Sequence, residues 1–456
     1  MKIDRKELRA MLGLAAPLVL AELGWMAMGV EDTMFVGRIG AEAIGAISVG
    51  TTIFYTIAIL GGGLLLGLDT LISQAAGAGD LKDRHRSLVN GVWLTLALIP
   101  LVMLAVQTML PVLAMFGMSP GVLRQVVPYM RTLNWSTPPL LLFFCLRRYL
   151  QSIGHARPVM VTLIAANLLN IAGNWIFVFG NLGAPRLGAV GSAWSTFMAR
   201  IFMLAIVILV LLRTESGLFR VSWNPDLRRV GELLKLGVPA AGQIGAEMLV
   251  WTTATVLAGR LAATGLAGHQ IAMTTVSTTF MLPLGISSAA AVRVGNAIGR
   301  GDPRGAARSG WTAVGLGAAV MSTCAIVLTL VPQWIARLFT PDAAIIAAAV
   351  PLLRLAALFQ LFDGLQVVTT GALRGAGNTA TPMICHIAGY GMIGLPLGAV
   401  LCFRLGWGAI GLWIGLSTGL ILIGIALALF WRGAARKIAA SAHPSPESEP
   451  VTRPVG

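Results

Sequence analysis

Again and again this chain runs apolar for at least the ~18–20 residues that a helix needs to cross a bilayer, which leaves few folds open to it. Between charges, Gly and Pro the runs cover 11–36, 43–72, 88–113, 121–150, 158–180 and 188–213, then 233–258, 266–296, 308–333, 343–373, 380–402 and 407–431. Only 11% of the 456 residues are charged and 56% are hydrophobic. A soluble domain needs roughly 25% charged residues to cover its surface, so the solvent here is lipid. The expected fold is an all-α membrane protein of 12 transmembrane helices in two six-helix lobes, 1–213 and 233–432. The cytoplasmic connection 214–232 carries Pro225 and mixed charge. Residues 433–456, with Pro444, Pro446, Pro450 and Pro454, read as a disordered cytoplasmic tail. The opening MKIDRKELRA imitates a signal peptide, but the apolar stretch after it is too long and carries acids, which points to an uncleaved first span.

The net charge of +15 does not indicate nucleic acid, because the Lys and Arg residues sit in short loops between spans. They cluster in alternate connections: Lys2 to Arg9, Lys82 to Arg86, Arg147 to Arg157, Arg213 to Lys235, Arg300 to Arg308, and Arg432 to Lys437. By the positive-inside rule both termini are cytoplasmic in an inner membrane, which requires an even number of spans. Cys145, Cys324, Cys385 and Cys402 are far apart and suggest neither disulfides nor a metal site. The adjacent Cys385 and His386 read as buried packing.

The chain also repeats itself. A shift of 222 residues aligns Pro17 with Pro239, Thr33 with Thr255, Gly37-Arg38 with Gly259-Arg260 and Thr52 with Thr274. It also aligns the Gly77-x-Gly79-Asp80 turn with Gly299-x-Gly301-Asp302. Six spans per half give both halves one orientation, about an axis along the membrane normal, with the ligand path between them. Pro17 and Pro239 occupy equivalent points of spans 1 and 7, where a proline frees a carbonyl and kinks the helix. The GAGD and GRGD turns lack the following Lys-Ser/Thr of a phosphate loop.

Acids inside spans cost at least ~2.5–3.5 kcal/mol on insertion scales, so those that persist face a cavity and act there. Asp32 in span 1 meets this description, and span 5 offers Asn167, Asn170 and Asn174 on one helical face, with Thr196 in span 6 able to add an oxygen. Asp, Asn and Thr are oxygen ligands suited to Na⁺, placing a possible site at Asp32, Asn170 and Asn174. In the second half, Glu247 has Gln243 and Trp251 one turn away, and Asp363 has Gln360, Gln366 and Thr370 on its face. A buried acid of this kind is neutral in one state and ionised in another, the property that proton coupling needs. Glu22 and Asp69 are further acids within spans, and Glu31 reads as reaching the interface. Trp25, Met28, Met248 and Trp251 could line a soft, tolerant cleft together with Gln243, Gln360 and Gln366.

The runs VEDTMFVGRIG, HQIAMTTVSTTFMLPLGISSAAAVRVGNAIGRGD and LFDGLQVVTTGALRGAGNTATPM, with the GAGD turn, closely resemble the multidrug and toxic compound extrusion (MATE) transporters. The resemblance extends from about residue 10 to 430. It implies two six-helix bundles forming a V-shaped cleft, and exchange of external Na⁺ or H⁺ for cytoplasmic organic cations. In the family's NorM branch the essential acids fall in spans 1, 7 and 10, at the positions of Asp32, Glu247 and Asp363. The N-lobe cation network maps onto Asn170, Asn174 and Thr196; Asn174 stands where some members carry Asp.

The expected function is therefore a multidrug efflux antiporter working by alternating access, with amphiphilic cations as substrates, H⁺ and/or Na⁺ as coupling ion, no cofactor, and a monomer by default. The alternative is a flippase for a lipid-linked precursor, which would carry Arg or Lys inside the spans; Arg200 and Arg293 are the candidates. No paired acids with a metal-ligand His and no Ser/His pair support an enzyme.

Overall fold

The structure, a computed structural model, describes residues 5–115, 120–215, 217, 222–261 and 263–440, and all regular structure among them is helical. Lipid offers no partner for backbone N–H and C=O groups, and helices satisfy both internally. The first half comprises α1 (Arg5–Gly37), α2 (Ala41–Leu64), α3 (Gly67–Gly77), α4 (Leu81–Met115), α5 (Pro120–Asn134), α6 (Thr137–Ser152), α7 (Ala156–Phe179) and α8 (Ala189–Thr214). The second comprises α9 (Leu227–Ala258), α10 (Ala263–Gly299), α11 (Pro303–Leu330), α12 (Pro332–Phe339), α13 (Ala343–Gly375), α14 (Ala380–His386), α15 (Leu395–Ala399) and α16 (Gly408–Ala440).

Eleven helical segments among the described residues are long and apolar enough to cross a bilayer. The remaining crossing, fourth in chain order, is made by α5 and α6 together, which are broken at Trp135-Ser136. The break has a local cause: Pro138 and Pro139 lack the N–H groups that would continue α5, and both sit in the first turn of α6, where none is needed. The eleventh crossing is also irregular. Beyond α14 it passes through π-helical turns at Ile387–Gly394, then α15, then π-helical turns at Val400–Arg404.

Two expectations from the sequence need correction. The helix α12 separates the ninth and tenth crossings, with Trp334 68% and Leu338 85% exposed, as befits a short segment at the membrane surface. The expected tail does not begin near residue 433 as disordered chain, because α16 continues as helix through Ala440; residues 441–456 of it lie outside the described residues. Both α1 and α9 run unbroken through Pro17 and Pro239.

The repeat appears in the packing. Gly77 lies against the Asn296 carbonyl, and its equivalent Gly299 lies against the carbonyl of Gln74, the equivalent of Asn296. Gly63 lies against Ala241 as Gly285 lies against Val19, again a pair related by the offset. Gly295 meets Ser73, and these two positions are themselves equivalent, so the pseudo-two-fold axis passes between them. Met11 of α1 joins the core of the second lobe, while its counterpart Leu233 of α9 joins a core of the first. Added side chains at these glycines would strike backbone atoms, which is why the seam is built from small residues.

All these contacts lie in the halves of the helices nearest the chain's ends. Toward the opposite end Val30 and Met34 of α1 and Val256 of α9 stand exposed. The two lobes thus form a V, closed at the end that bears the basic connections.

Candidate cation and substrate sites

In the first lobe α1, α7 and α8 bring a polar cluster together. Asn174 Nδ2 donates to Asp32 Oδ1 at 2.7 Å and to Asn170 Oδ1 at 2.9 Å. Thr196 Oγ1 donates to Asp32 Oδ2 at 2.8 Å, and Ser195 Oγ donates to the Asn170 carbonyl at 2.7 Å. Asp32, Asn170, Asn174 and Thr196 are all buried, Asn170 and Asn174 completely. Asn167 of the same face instead donates to the Gly24 carbonyl and joins helices. With the Asn174 amide nitrogen toward the carboxylate, its Oδ1 is buried without a partner. Asp32 thus receives donors at both oxygens, and turning the Asn174 amide over would instead offer an oxygen to a proton or Na⁺ held there.

A second cluster lies in the other lobe. Gln366 Nε2 donates to Asp363 Oδ1 at 3.2 Å, while Gln366 Oε1 lies 2.8 Å from His386 Nε2. The same imidazole nitrogen is 4.0 Å from Glu247 Oε2, and His386 Nδ1 donates to the Pro382 carbonyl at 2.8 Å. Tyr390 packs on the imidazole with ring centroids 6.0 Å apart, and its hydroxyl is buried without a partner, as are Asp363 Oδ2 and Thr370 Oγ1. Glu247 keeps 17% of its side chain exposed whereas His386 keeps none, so Glu247 is the member that meets the cleft. The sequence reading took His386 as buried packing; it is buried, and it also joins this cluster through Gln366. A histidine in a span is itself the signal, since ionisable groups there are rare and functional.

Other residues fall elsewhere than expected. Met28, Gln360 and Gln366 are buried inside the lobes and do not line the cleft; Gln360 donates to Thr279. Trp25 packs on Tyr55 and Phe144, and Trp251 on Tyr390 and Trp413. Gln243, Met248 and Trp251 are half-buried on α9, the face that borders the cleft. Glu22 pairs with Arg147, and Asp69 sits 3.5 Å from Arg148 and 3.3 Å from Arg374, so both acids are neutralised near the closed end.

The basic residues are similarly occupied. Arg293 forms a two-pronged pair with Glu7 at 2.6–2.7 Å. Arg200 is fully buried, stacks over Phe54 and Tyr55, and donates to Ser136 and to the Tyr55 hydroxyl. Arg84 and His85 meet Glu215, and Arg86 meets Asp226, tying the start of α4 to the middle connection. Hydrogen bonding from Arg86 holds the carboxyl of Asp226, which caps α9, below the usual carboxylate range.

The MatE family model matches the chain twice, over residues 17–176 and 239–400. This chain is a member of the MATE family. The two matches begin at the prolines that the repeat had paired, and each falls within one lobe. A probable multidrug resistance protein NorM of Mesorhizobium japonicum is 35% identical over 438 residues, 94% of each chain. The multidrug resistance protein NorM of Burkholderia vietnamiensis is 37% identical over 428 residues, 92% of each. Among solved structures the eukaryotic MATE transporter AtDTX14 superposes with a TM-score of 0.86 at 21% identity, covering 96% of this chain and 99% of that one. An outward-facing MATE family multidrug resistance transporter superposes with a TM-score of 0.84 at 20% identity, covering 96% and 99%. These likenesses carry the fold: a MATE-type V of two six-helix lobes.

Proposed function

We propose that this MATE protein exports amphiphilic organic cations in exchange for H⁺ or Na⁺ by alternating access. The observation that carries this reading is the position of acids with no Lys or Arg partner among the described residues: Asp32 in one lobe, Glu247 and Asp363 in the other. Acids that do have such partners, Glu7, Glu22 and Asp69 among them, lie toward the closed end. A carboxylate without a countercharge attracts either the coupling cation or a cationic substrate, and competition between the two through one conformational equilibrium is exchange. The NorM relatives, named for multidrug resistance, support the substrate class.

In this reading the basic end faces the cytoplasm of an inner membrane, the V opens outward, and the chain works as a monomer. An entering cation neutralises the acids and releases the substrate outside; after reorientation the cation leaves to the cytoplasm and the carboxylates take the next substrate. A flippase for a lipid-linked pyrophosphate is less well supported. Its basic cavity would need Arg200 or Arg293 facing the cleft, and one is sealed among aromatic rings while the other is paired with Glu7.

The test uses proteoliposomes and ethidium, with ΔpH and ΔNa⁺ imposed separately. At least one gradient should drive ethidium against its own gradient. Movement under neither would end the export reading.

A further inference from the structure

The hydrogen bonds around His386 do not balance without an extra proton. The Pro382 carbonyl can only accept, so the hydrogen is on Nδ1. In a neutral imidazole Nε2 is then an acceptor, and it needs a donor from Gln366, 2.8 Å away. With the amide as placed, Gln366 turns its oxygen to Nε2, so two acceptors meet. Turning the amide over satisfies Nε2 but sets Gln366 Oε1 against Asp363 Oδ1 at about the same short separation, and again two acceptors meet. Either way one contact in a fully buried chain is repulsive.

One proton resolves it in both orientations. Placed on His386 Nε2, it is donated to Gln366 Oε1, and the amide nitrogen donates to an ionised Asp363. Placed on Asp363, it is donated to the turned-over Gln366 Oε1, and the amide nitrogen donates to a neutral His386. We propose that His386, Gln366 and Asp363 bind a single proton as one unit, with His386 as a proton site and the Gln366 amide as the swivel that passes the hydrogen-bond polarity between histidine and acid.

The surroundings fit this assignment. From α9 His386 faces Glu247; from α13 it faces Gln366 and, beyond it, Asp363; from its own helix it faces Tyr390. The helix α16 also packs on α14 but carries no titratable side chain before Arg432. No Lys or Arg among the described residues pairs with either acid, so the proton is the positive charge available to them. The part of Glu247 that remains exposed gives the proton its route from the cleft. Because α14 passes into π-helical turns directly after His386, a small change of helical register there would move the imidazole relative to Gln366.

This inference uses the exchange reading only for its purpose; the proton site itself is testable without transport. In purified protein in lipid, infrared difference spectra over a pH series read the carboxylic-acid band of Asp363, identified by its loss in D363N. Spectra of ¹⁵N-histidine-labelled protein read the His386 imidazolium, identified by its loss in H386Q. Wild-type protein should take up one proton with a single midpoint at the two groups. In H386Q the new amide can donate to Gln366, so the Asp363 midpoint should fall by at least about one pH unit. In D363N the asparagine can donate instead, and the His386 midpoint should fall by as much. Separate wild-type midpoints, or midpoints unmoved in both variants, would overturn the proposal. Coupled midpoints in a protein that moves no ethidium would leave the proton site standing and remove the export reading alone.

Discussion

A carboxylate inside a span has three ways to persist: pair with a cation, gather hydrogen bonds, or hold a proton. Glu22 and Asp69 take the first way, through Arg147, Arg148 and Arg374. Asp32 takes the second, through Asn174 and Thr196. In Asn174→Ala both Asp32 and Asn170 lose a donor. A buried polar atom left unmade costs about 1–3 kcal/mol, so the thermal midpoint of the purified protein should fall, measurably by differential scanning fluorimetry. An unchanged midpoint would mean that Asp32 does not depend on this amide. The acids and the Asn face of span 5 were legible in the sequence because each breaks the apolar pattern of its own helix. His386 breaks its pattern in the same way, but its membership of a cluster was not legible, because its partners come from α9 and α13 and no spacing within its own span announces them.

The elements differ in how clearly the sequence declares them. The break between α5 and α6 is written in Pro138 and Pro139, although the apolar run 121–150 hides it when read as one length. The surface helix α12 begins at Pro332, inside what looked like the end of a span. The π-helical turns of the eleventh crossing leave no such mark. Their reason lies in a neighbour: Gly389, Gly394 and Gly398 press against Gly415 and Gly419 of α16, and Gly411 of α16 lies against the backbone of Leu401 and Cys402. A methyl group added at Gly415 would stand 2.1 Å from the Gly398 nitrogen, whereas one at Gly391 would meet nothing within 4 Å. Gly415→Ala should therefore destabilise the protein by about 1–3 kcal/mol through overpacking, and Gly391→Ala should not. Chemical denaturation in detergent separates them; equal effects would show that this helix contact is not tight.

For the whole molecule the duplication supplies the moving frame. The offset of 222 was visible in the sequence and returns in the seam as paired contacts about Ser73 and Gly295. The chemistry does not repeat: Asp32 has Ala254 as its counterpart, and Glu247 has Trp25. Closure of the basic end depends on Gly77 and Gly299 meeting backbone, reinforced where Thr70 and Gln74 donate to the carbonyls of Arg374 and Gly375. A Cβ at Gly77 would lie 2.2 Å from the Asn296 carbonyl oxygen, so Gly77→Val should hold the lobes apart there. Spin labels at the equivalent exposed sites Lys82 and Arg304 would report a longer distance in this variant, together with lost export. The same distance as in wild type would place the closing contact elsewhere.

The central claim is exchange, and exchange must run in both directions. In proteoliposomes at equal pH and equal Na⁺, an imposed gradient of ethidium alone should drive H⁺ or Na⁺ uphill in the opposite direction, as reciprocal coupling demands. That flow should vanish in E247Q and D363N. Ethidium moving with no counterflow of either ion, or counterflow unchanged in both variants, would contradict the account.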